Sequence, residues 1–239
     1  MRRRFFVDKF EDERAIVEGD KAHHLGKVLR AQISQLYELS DGVQVRLGRV
    51  ESVSRDSVEF VLLGEVSAPE PELKIRLLLS VVKFDAFEWA IEKATELGVS
   101  EIVPLSADRS EKSLVAAAEK RSERWRKILL EAAQQSRRVR IPVLHSIVSP
   151  KQAFSMSEDK FGLFLSERPG APTFHSALQG VAATEAVLVI GPEGGWTDAE
   201  VASSQNAGFR EASLGRLILR TETAVIAALA SLSYALGNQ

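Results

Sequence analysis

After residue 73 the chain alternates two kinds of segment, and that alternation restricts the folds open to it. KIRLLLSVV, from Lys74 to Val82, is a near-continuous apolar run, as in a strand buried on both faces. FDAFEWAIEKATELG then repeats Phe87, Ala90, Ile91, Ala94 and Leu97 at helical spacing and stops at Gly98, placed like a glycine just past a helix end. SEIVPL reads as the next strand, and LVAAAEKRSERWRKILLEAAQQSRR as a long helix with room for a break. IPVLHSI, KFGLFL, AVLVI and EASLG are further strand candidates separated by shorter helices. Strands alternating with helices predict an α/β fold built on a largely parallel sheet.

Residues 1–68 follow another rule. FFVD, RAIVEG, LYELSDG, VQVRLGRVESV and SVEFVLLGEV alternate or carry β-branched residues, with turns at Asp41-Gly42 and Arg55-Asp56. One helical piece, DKAHHLGKVLRA, interrupts them, with Asp20 as its N-cap and an apolar face at Leu25, Val28 and Leu29. A small barrel with one helix fits. SAPEPEL, at 67–73, has two prolines and two acidic residues without apolar periodicity, and marks a boundary between domains at 1–70 and 73–239.

Composition removes several function classes. The chain has no cysteine, which excludes disulfides, thiolate metal sites and a cysteine nucleophile. Its four histidines, His23, His24, His145 and His175, lack ligand-like spacing, so no metal is expected. The longest apolar stretch, AVIAALASLSYAL, falls short of the roughly 18 residues a membrane span needs. The basic N-terminus lacks the apolar region of a secretion signal, so a cytoplasmic location is expected. The net charge is −2, yet Arg109 to Arg140 holds ten Lys and Arg against four acidic residues. Such local basic surface can bind a polyanion on a near-neutral protein, although a solvated helix face reads the same way.

The chemistry should lie in the loops after the later strands. In VLVIGPEGGWTDAEV the strand breaks at Gly191-Pro192, and Thr197-Asp198-Ala199-Glu200 fits a capping box that starts a helix. The loop between them sits at the carboxyl end of a parallel strand, where open α/β sheets bind ligands. Gly194 and Gly195 remove side chains where a ligand or another backbone comes close. No Walker lysine and no G-x-G-x-x-G is present. EASLGRLILRTETAVIAALASLSYAL has the same design: a strand, a turn at Leu214-Gly215, then Arg220 and Glu222 just before an Ala-rich helix that Thr221 or Thr223 could cap. LFLSERP places Ser166, Glu167 and Arg168 at a third strand end.

These stretches together resemble the knotted S-adenosylmethionine-dependent RNA methyltransferases of the SPOUT superfamily, and within it the bacterial family that methylates N3 of a uridine in small-subunit (16S) ribosomal RNA. The resemblance rests on IGPEGGWTDAEV and LGRLILRTETA, with RRFFV, HHLGKVLR, EWAIEKATELGVSEIVPL, DRS and RWRKILLEAAQQSRR, and so covers nearly the whole chain. It implies a PUA-like β-barrel for RNA, a methyltransferase domain with a trefoil knot, and a homodimer acting on the small ribosomal subunit. It implies S-adenosylmethionine held by Leu165, Ser166 and Glu167, by Ile190, Gly191, Pro192, Glu193, Gly194 and Gly195, by Leu214, Gly215, Leu217, Ile218 and Leu219, and by Thr223 and Ala224. Leu214, Leu217 and Ile218 would lie against the adenine. Arg220 and Glu222 match the positions nearest the chemistry. Arg2, Arg3, Arg4, Lys27, Arg30, Arg109, Ser110, Gln135 and Arg138 would meet RNA. Arg137 departs from the pattern by standing where the family often has glycine.

Uridine N3 is a weak nucleophile until its proton leaves. The expected roles are therefore Arg220 stabilising charge on a uracil carbonyl, with Glu222 or a water it orients as proton acceptor. Glu193 could act electrostatically or tie down its own loop. A non-catalytic RNA-binding or ribosome-assembly protein is the competing reading.

Overall fold

The structure, a computed structural model, describes residues 3–68, 70–157 and 159–237, without the side chain of Val28. Arg2 lies outside the described residues. The chain divides into two compact units, Met1–Glu70 with Ala133–Ile141, and Pro71–Ala132 with Pro142–Gln239.

The first unit is a five-stranded sheet of β1 (Arg4–Phe6), β2 (Arg14–Glu18), β3 (Leu36–Ser40), β4 (Val45–Val53) and β5 (Ser57–Glu65), in the order β1-β3-β4-β5-β2. Only β1 and β3 run parallel; the other pairs are antiparallel. Alternation does the sorting: Ala15 and Val17 of β2 point inward while Arg14, Ile16 and Glu18 face out. Val17, Leu39, Val50 and Phe60 fill the core, and Tyr37 meets Phe5 and Phe60 edge-on at 5.4 and 6.1 Å. Asp41 Oδ1 closes the predicted turn by accepting from the Val43 and Gln44 amides at 2.8 and 2.9 Å.

The helical piece differs from the sequence reading in its start. α1 spans Gly19–His23 and continues as a π-helical turn over His24–Val28. Asp20 is not the N-cap. The chain turns at Gly19, whose φ is +62° and whose amide donates to Asp56, so Asp20 already stands inside the first turn. Leu25 is fully buried and Leu29 packs on the same core, as expected of the apolar face.

Residues 133–141 belong to this unit because charge holds them there. Glu38 is buried and receives Arg4 at 2.8 Å, together with a bond from Arg137; Arg4 also donates to the Arg137 carbonyl. Ser40 donates to the Val139 carbonyl at 2.6 Å. Arg137 has φ +57°, a left-handed conformation that suits glycine better, which accounts for the glycine that the resemblance places there. The Glu38 pairing works against that strain. Replacing one partner of a buried ion pair leaves an uncompensated charge. Glu38→Ala is expected to lower unfolding free energy by about 3 kcal/mol, measured by urea denaturation; a change under about 1 kcal/mol would mean that Arg4 finds water instead.

The second unit is a six-stranded sheet with every pair parallel. Its strands are β6 (Lys74–Ser80), β7 (Glu101–Leu105), β8 (Val143–Leu144), β9 (Phe161–Leu165), β10 (Glu185–Ile190) and β11 (Arg210–Ala212), ordered β11-β9-β10-β6-β7-β8. Its helices are α2 (Phe84–Glu96), α3 (Lys112–Ala118), α4 (Ser122–Gln135), α5 (Pro150–Ser155), α6 (Phe174–Leu178), α7 (Asp198–Asn206) and α8 (Thr221–Leu236), with the expected break in the long helix filled by a 3₁₀ turn at Glu119–Arg121. The central strands bury both faces. Ile75, Leu77, Leu79, Leu188 and Ile190 join one core with residues of α2, α4, α6 and α8. Leu78, Val187 and Val189 join a second with Phe154 of α5 and Val201 of α7. Gly98, at φ +91°, ends α2 in a Schellman arrangement, its amide donating to Thr95 and that of Val99 to Ala94.

Candidate active site

The site follows from where each strand sends its helix. β6 and β9 are followed by α2 and α6, which pack on one face; β10, lying between them, is followed by α7 on the other. The connections diverge at the end of β10 and leave a crevice there, as open α/β sheets do at a topological switch point. A cavity of 1130 Å³ occupies it, with walls from the segments that follow β6, β9, β10 and β11. Three walls are the loops the sequence singled out: Leu165 to Pro169 after β9, Ile190 to Trp196 after β10, and Ser213 to Ala224 after β11.

Most of the expected cofactor residues are brought together: Leu165, Ser166 and Glu167; Ile190, Gly191, Pro192, Glu193 and Gly195; Leu214, Gly215, Leu217, Ile218 and Leu219; and Ala224. Gly194 and Thr223 do not line the cavity. Thr223 is exposed, and neither it nor Thr221 caps α8: Arg220 is the N-cap and makes no side-chain capping bond, so both threonines already lie in the first turn. Leu217 and Ile218 are 80% and 82% exposed. Arg220 and Glu222 both line the cavity and form no ion pair with each other among the described residues. A structural salt bridge therefore does not explain them.

The glycines have reasons of their own. A Cβ on Gly194 would stand 3.2 Å from Arg109 Cβ, and Gly195 has φ +68° as its amide closes a turn onto Pro192. The loop is thus shaped by neighbouring protein atoms. The segment after β7 holds its flank: Arg109 donates to the Gly194 carbonyl at 3.0 Å, and the Asp108 amide donates to Glu200 at 2.9 Å. Glu200 also completes the capping box with Thr197, in the register the sequence indicated. Ser110 is buried, and its hydroxyl has no partner among the described residues.

The residues expected to meet RNA separate. Arg109 lines the cavity. Arg3, Lys27, Arg30 and Gln135 are exposed. Arg138 is half-buried, and desolvation draws its pKa below the usual guanidinium range against the opposing charge of Glu70. Arg4 is 3% exposed and committed to Glu38, which leaves it no face for a phosphate. The basic stretch is also partly spent, since Arg121 and Arg124 both pair with the buried carboxylate of Glu88.

The fourth wall was missed: Lys83, Asp85, Ala86 and Trp89, at the start of α2. One signal could have found it. Trp89 stands off the apolar stripe of Phe87, Ala90, Ile91 and Ala94 and is 44% exposed, an unusual place for a large ring. Among the described residues no cluster could hold a metal ion, and no helix is long and apolar enough to cross a membrane.

Comparison with known proteins agrees on the class. The RNA methyltransferase domain family matches residues 69–233. Ribosomal RNA small subunit methyltransferase E of Bacillus subtilis is 34% identical over 91% of this chain and 89% of its own length. Its Mycobacterium tuberculosis counterpart is 31% identical over 94% and 88%. Among solved structures, ribosomal RNA small subunit methyltransferase E of Neisseria gonorrhoeae bound to S-adenosyl methionine superposes with a TM-score of 0.89 at 29% identity, covering 99% of both chains. A putative methyltransferase of Legionella pneumophila with bound SAM gives 0.88 at 29% identity over the full length of both. Fold and site thus define an RNA methyltransferase. The chain belongs to the ribosomal RNA small subunit methyltransferase E family.

Glu200 is the joint between the glycine loop and the segment carrying Arg109. Glu200→Ala removes a buried charged acceptor from two amides and is expected to cost about 2–3 kcal/mol. Hydrogen exchange at the Asp108 amide should accelerate in step; unaltered protection there would show that the segment is held by something else.

Proposed function

We propose that the chain transfers a methyl group from S-adenosylmethionine to N3 of a uridine in 16S ribosomal RNA. One observation carries the reading: a single cavity at the switch point joins three loops of the expected cofactor set to Arg220 and Glu222, both without an ion-pair partner among the described residues. The lining fits the donor. Leu165, Ile190, Pro192, Leu214 and Leu219 offer an apolar slot, edged by loop backbone, for an uncharged adenine. When bound, S-adenosylmethionine supplies an electrophilic methyl group on a sulfonium.

The remaining work belongs to side chains. Uridine N3 must lose its proton, and the charge that develops spreads onto the uracil carbonyls. Arg220 is the cation at the strand-end loop that opposes this charge. Glu222, or a water it orients, takes the proton; Glu193 is another carboxylate on the same lining. The base must leave its stack to enter. Trp89, half-exposed on the α2 wall, offers it a stacking face, with Lys83 and Asp85 beside it.

The finer architecture belongs to the same proposal. Residues 1–70 act as a PUA-like RNA-binding barrel, and 73–239 form a SPOUT-type knotted catalytic domain. The chain works in the cytoplasm as a homodimer on the small ribosomal subunit. The exposure of Leu217, Ile218 and Tyr234 supports a second copy, because large apolar side chains left 80%, 82% and 78% exposed gain from being covered.

Titration with S-adenosylmethionine separates this enzyme from a protein that only binds RNA, which should give no heat. Mass spectrometry of ribosomal RNA from a strain lacking the gene should show one N3-methyluridine missing. The wild-type gene should restore it, and Arg220→Ala should not. In vitro, Arg220→Ala should lower kcat roughly 100-fold or more with cofactor affinity retained, and Trp89→Ala should raise KM for RNA. An unchanged modification pattern in the deletion strain rejects the proposed substrate.

A further inference from the structure

A glycine at a strand end can leave room for a ligand's approach, but at Gly191, after β10, the space is already taken by protein. A Cβ built on Gly191 would lie 2.8 Å from both Cε2 and Nε1 of Trp196, and 3.3 Å from Cζ2. These are atoms of a rigid ring system, which no rotation of a flexible tip relieves. The indole is held from three sides. Its Nε1 donates to the Leu165 carbonyl at 2.9 Å in a buried bond. Its ring packs on Phe164, with centroids 4.7 Å apart and an interplanar angle of 34°. The turn closed by the Gly195 amide onto Pro192 folds the chain back so that Trp196 lies beneath Gly191.

Leu165 is the last residue of β9, and the loop of Ser166 and Glu167 starts there. Gly191 opens the loop after β10. The indole therefore sits between the roots of two cavity walls, bonded to one and filling the space that a side chain on the other would need. Parallel pairing fixes β9 against β10 as far as Val189 and Phe164, and it ends there. Beyond that point the spacing of the two loops depends on what lies between them.

We infer that Trp196 is a positioning residue that sets the gap between these two loops, and that residue 191 is glycine to admit the indole rather than the ligand. The inference rests on the reading that this cavity binds S-adenosylmethionine. It assigns Trp196 no contact with the reacting atoms, so its loss should appear in cofactor affinity and spare turnover once the cofactor saturates.

Four variants test it: Trp196→Phe, Gly191→Ala, Trp196→Leu, and the double variant G191A/W196L. Dissociation constants for S-adenosylmethionine come from calorimetry at a temperature where circular dichroism shows each variant folded. Single-turnover methylation of RNA is measured at saturating cofactor. Trp196→Phe keeps a ring but loses the N–H, and should weaken cofactor binding about tenfold with single-turnover rate within about twofold of wild type; a purely structural lesion would not divide this way. Gly191→Ala should weaken binding at least as much when Trp196 is present. In the Trp196→Leu background, where the clashing atoms are gone, the same substitution should add little, a non-additivity expected of residues in contact.

An unchanged dissociation constant in Trp196→Phe overturns the positioning role. An equal penalty for Gly191→Ala in both backgrounds overturns the account of the glycine and returns that space to the ligand. Should Gly191→Ala fail to fold, recovery of folded protein in the double variant supports the clash, and its failure too counts against it. A wild-type protein that gives no heat with the cofactor overturns the parent reading as well, whereas wild-type binding with an insensitive Trp196→Phe overturns this inference alone.

Discussion

The parallel pairing of β10 with β6 on one side and β9 on the other is the constraint from which the site follows. Parallel neighbours deliver their connections to the same edge, so four loops emerge together. They would crowd one another if every helix returned over the same face. Because α7 leaves to the opposite face from α2 and α6, the edge opens at β10. The cavity is thus a consequence of strand order, and its chemistry is whatever the four loops carry. The two-faced burial of Leu77, Leu78, Val187 and Leu188 makes this arrangement rigid, because each residue has a core of its own to fill.

Much of this was legible in the sequence where the information is local. The capping box at Thr197 and Glu200 obeys a spacing rule of three residues, and the structure keeps it. Gly98 announces a helix end through a backbone conformation that other residues resist. The runs of β6 and β10 declare their double burial through composition alone. What stayed hidden depends on neighbours distant in the chain. Gly191 reads only as the break after a strand until the position of Trp196 is known. Arg4 reads as one of three surface arginines until Glu38, 34 residues away, claims it. Trp89 stands off the apolar stripe already in the sequence, but only the cavity beside it gives that position a meaning. Asp20 and Thr223 failed as caps for another reason: their helices begin one or more residues earlier than the side-chain preference suggests, with Glu18 and Arg220 at the N-cap positions.

Charge shows the same division between count and placement. The cluster of cations between Arg109 and Arg140 looks like one basic surface, but its members have different employments. Arg121 and Arg124 neutralise Glu88, Arg137 serves Glu38, and Arg140 meets Glu70. These pairs change the field an approaching polyanion would feel, because a cation beside a carboxylate contributes little beyond a Debye length. The cavity has another balance. Lys83, Arg109, Arg168 and Arg220 stand on its lining with Asp85, Glu167, Glu193 and Glu222.

That balance bears on the chemistry proposed for the site. Moving a methyl group from a sulfonium to a deprotonated base consumes one positive and one negative charge. Water stabilises the separated charges well and so opposes their loss. A cavity with equal numbers of fixed cations and anions can instead hold each charge by a single opposite neighbour while adding no large net field of its own. Discrimination then depends on which fixed charge faces which reactant, and so on placement rather than on the number of charged groups. Two kinds of placement are involved. Under the proposed reading, the spacing of the β9 and β10 loops decides how firmly the donor is held, and so how often a seated donor meets the base. Once both reactants are seated, a displacement of about 1 Å can cost about two orders of magnitude in rate, and that cost falls on the groups that touch them. A residue that only sets the distance between the two loops, as Trp196 does in this account, governs the first kind and leaves the second to Arg220 and Glu222.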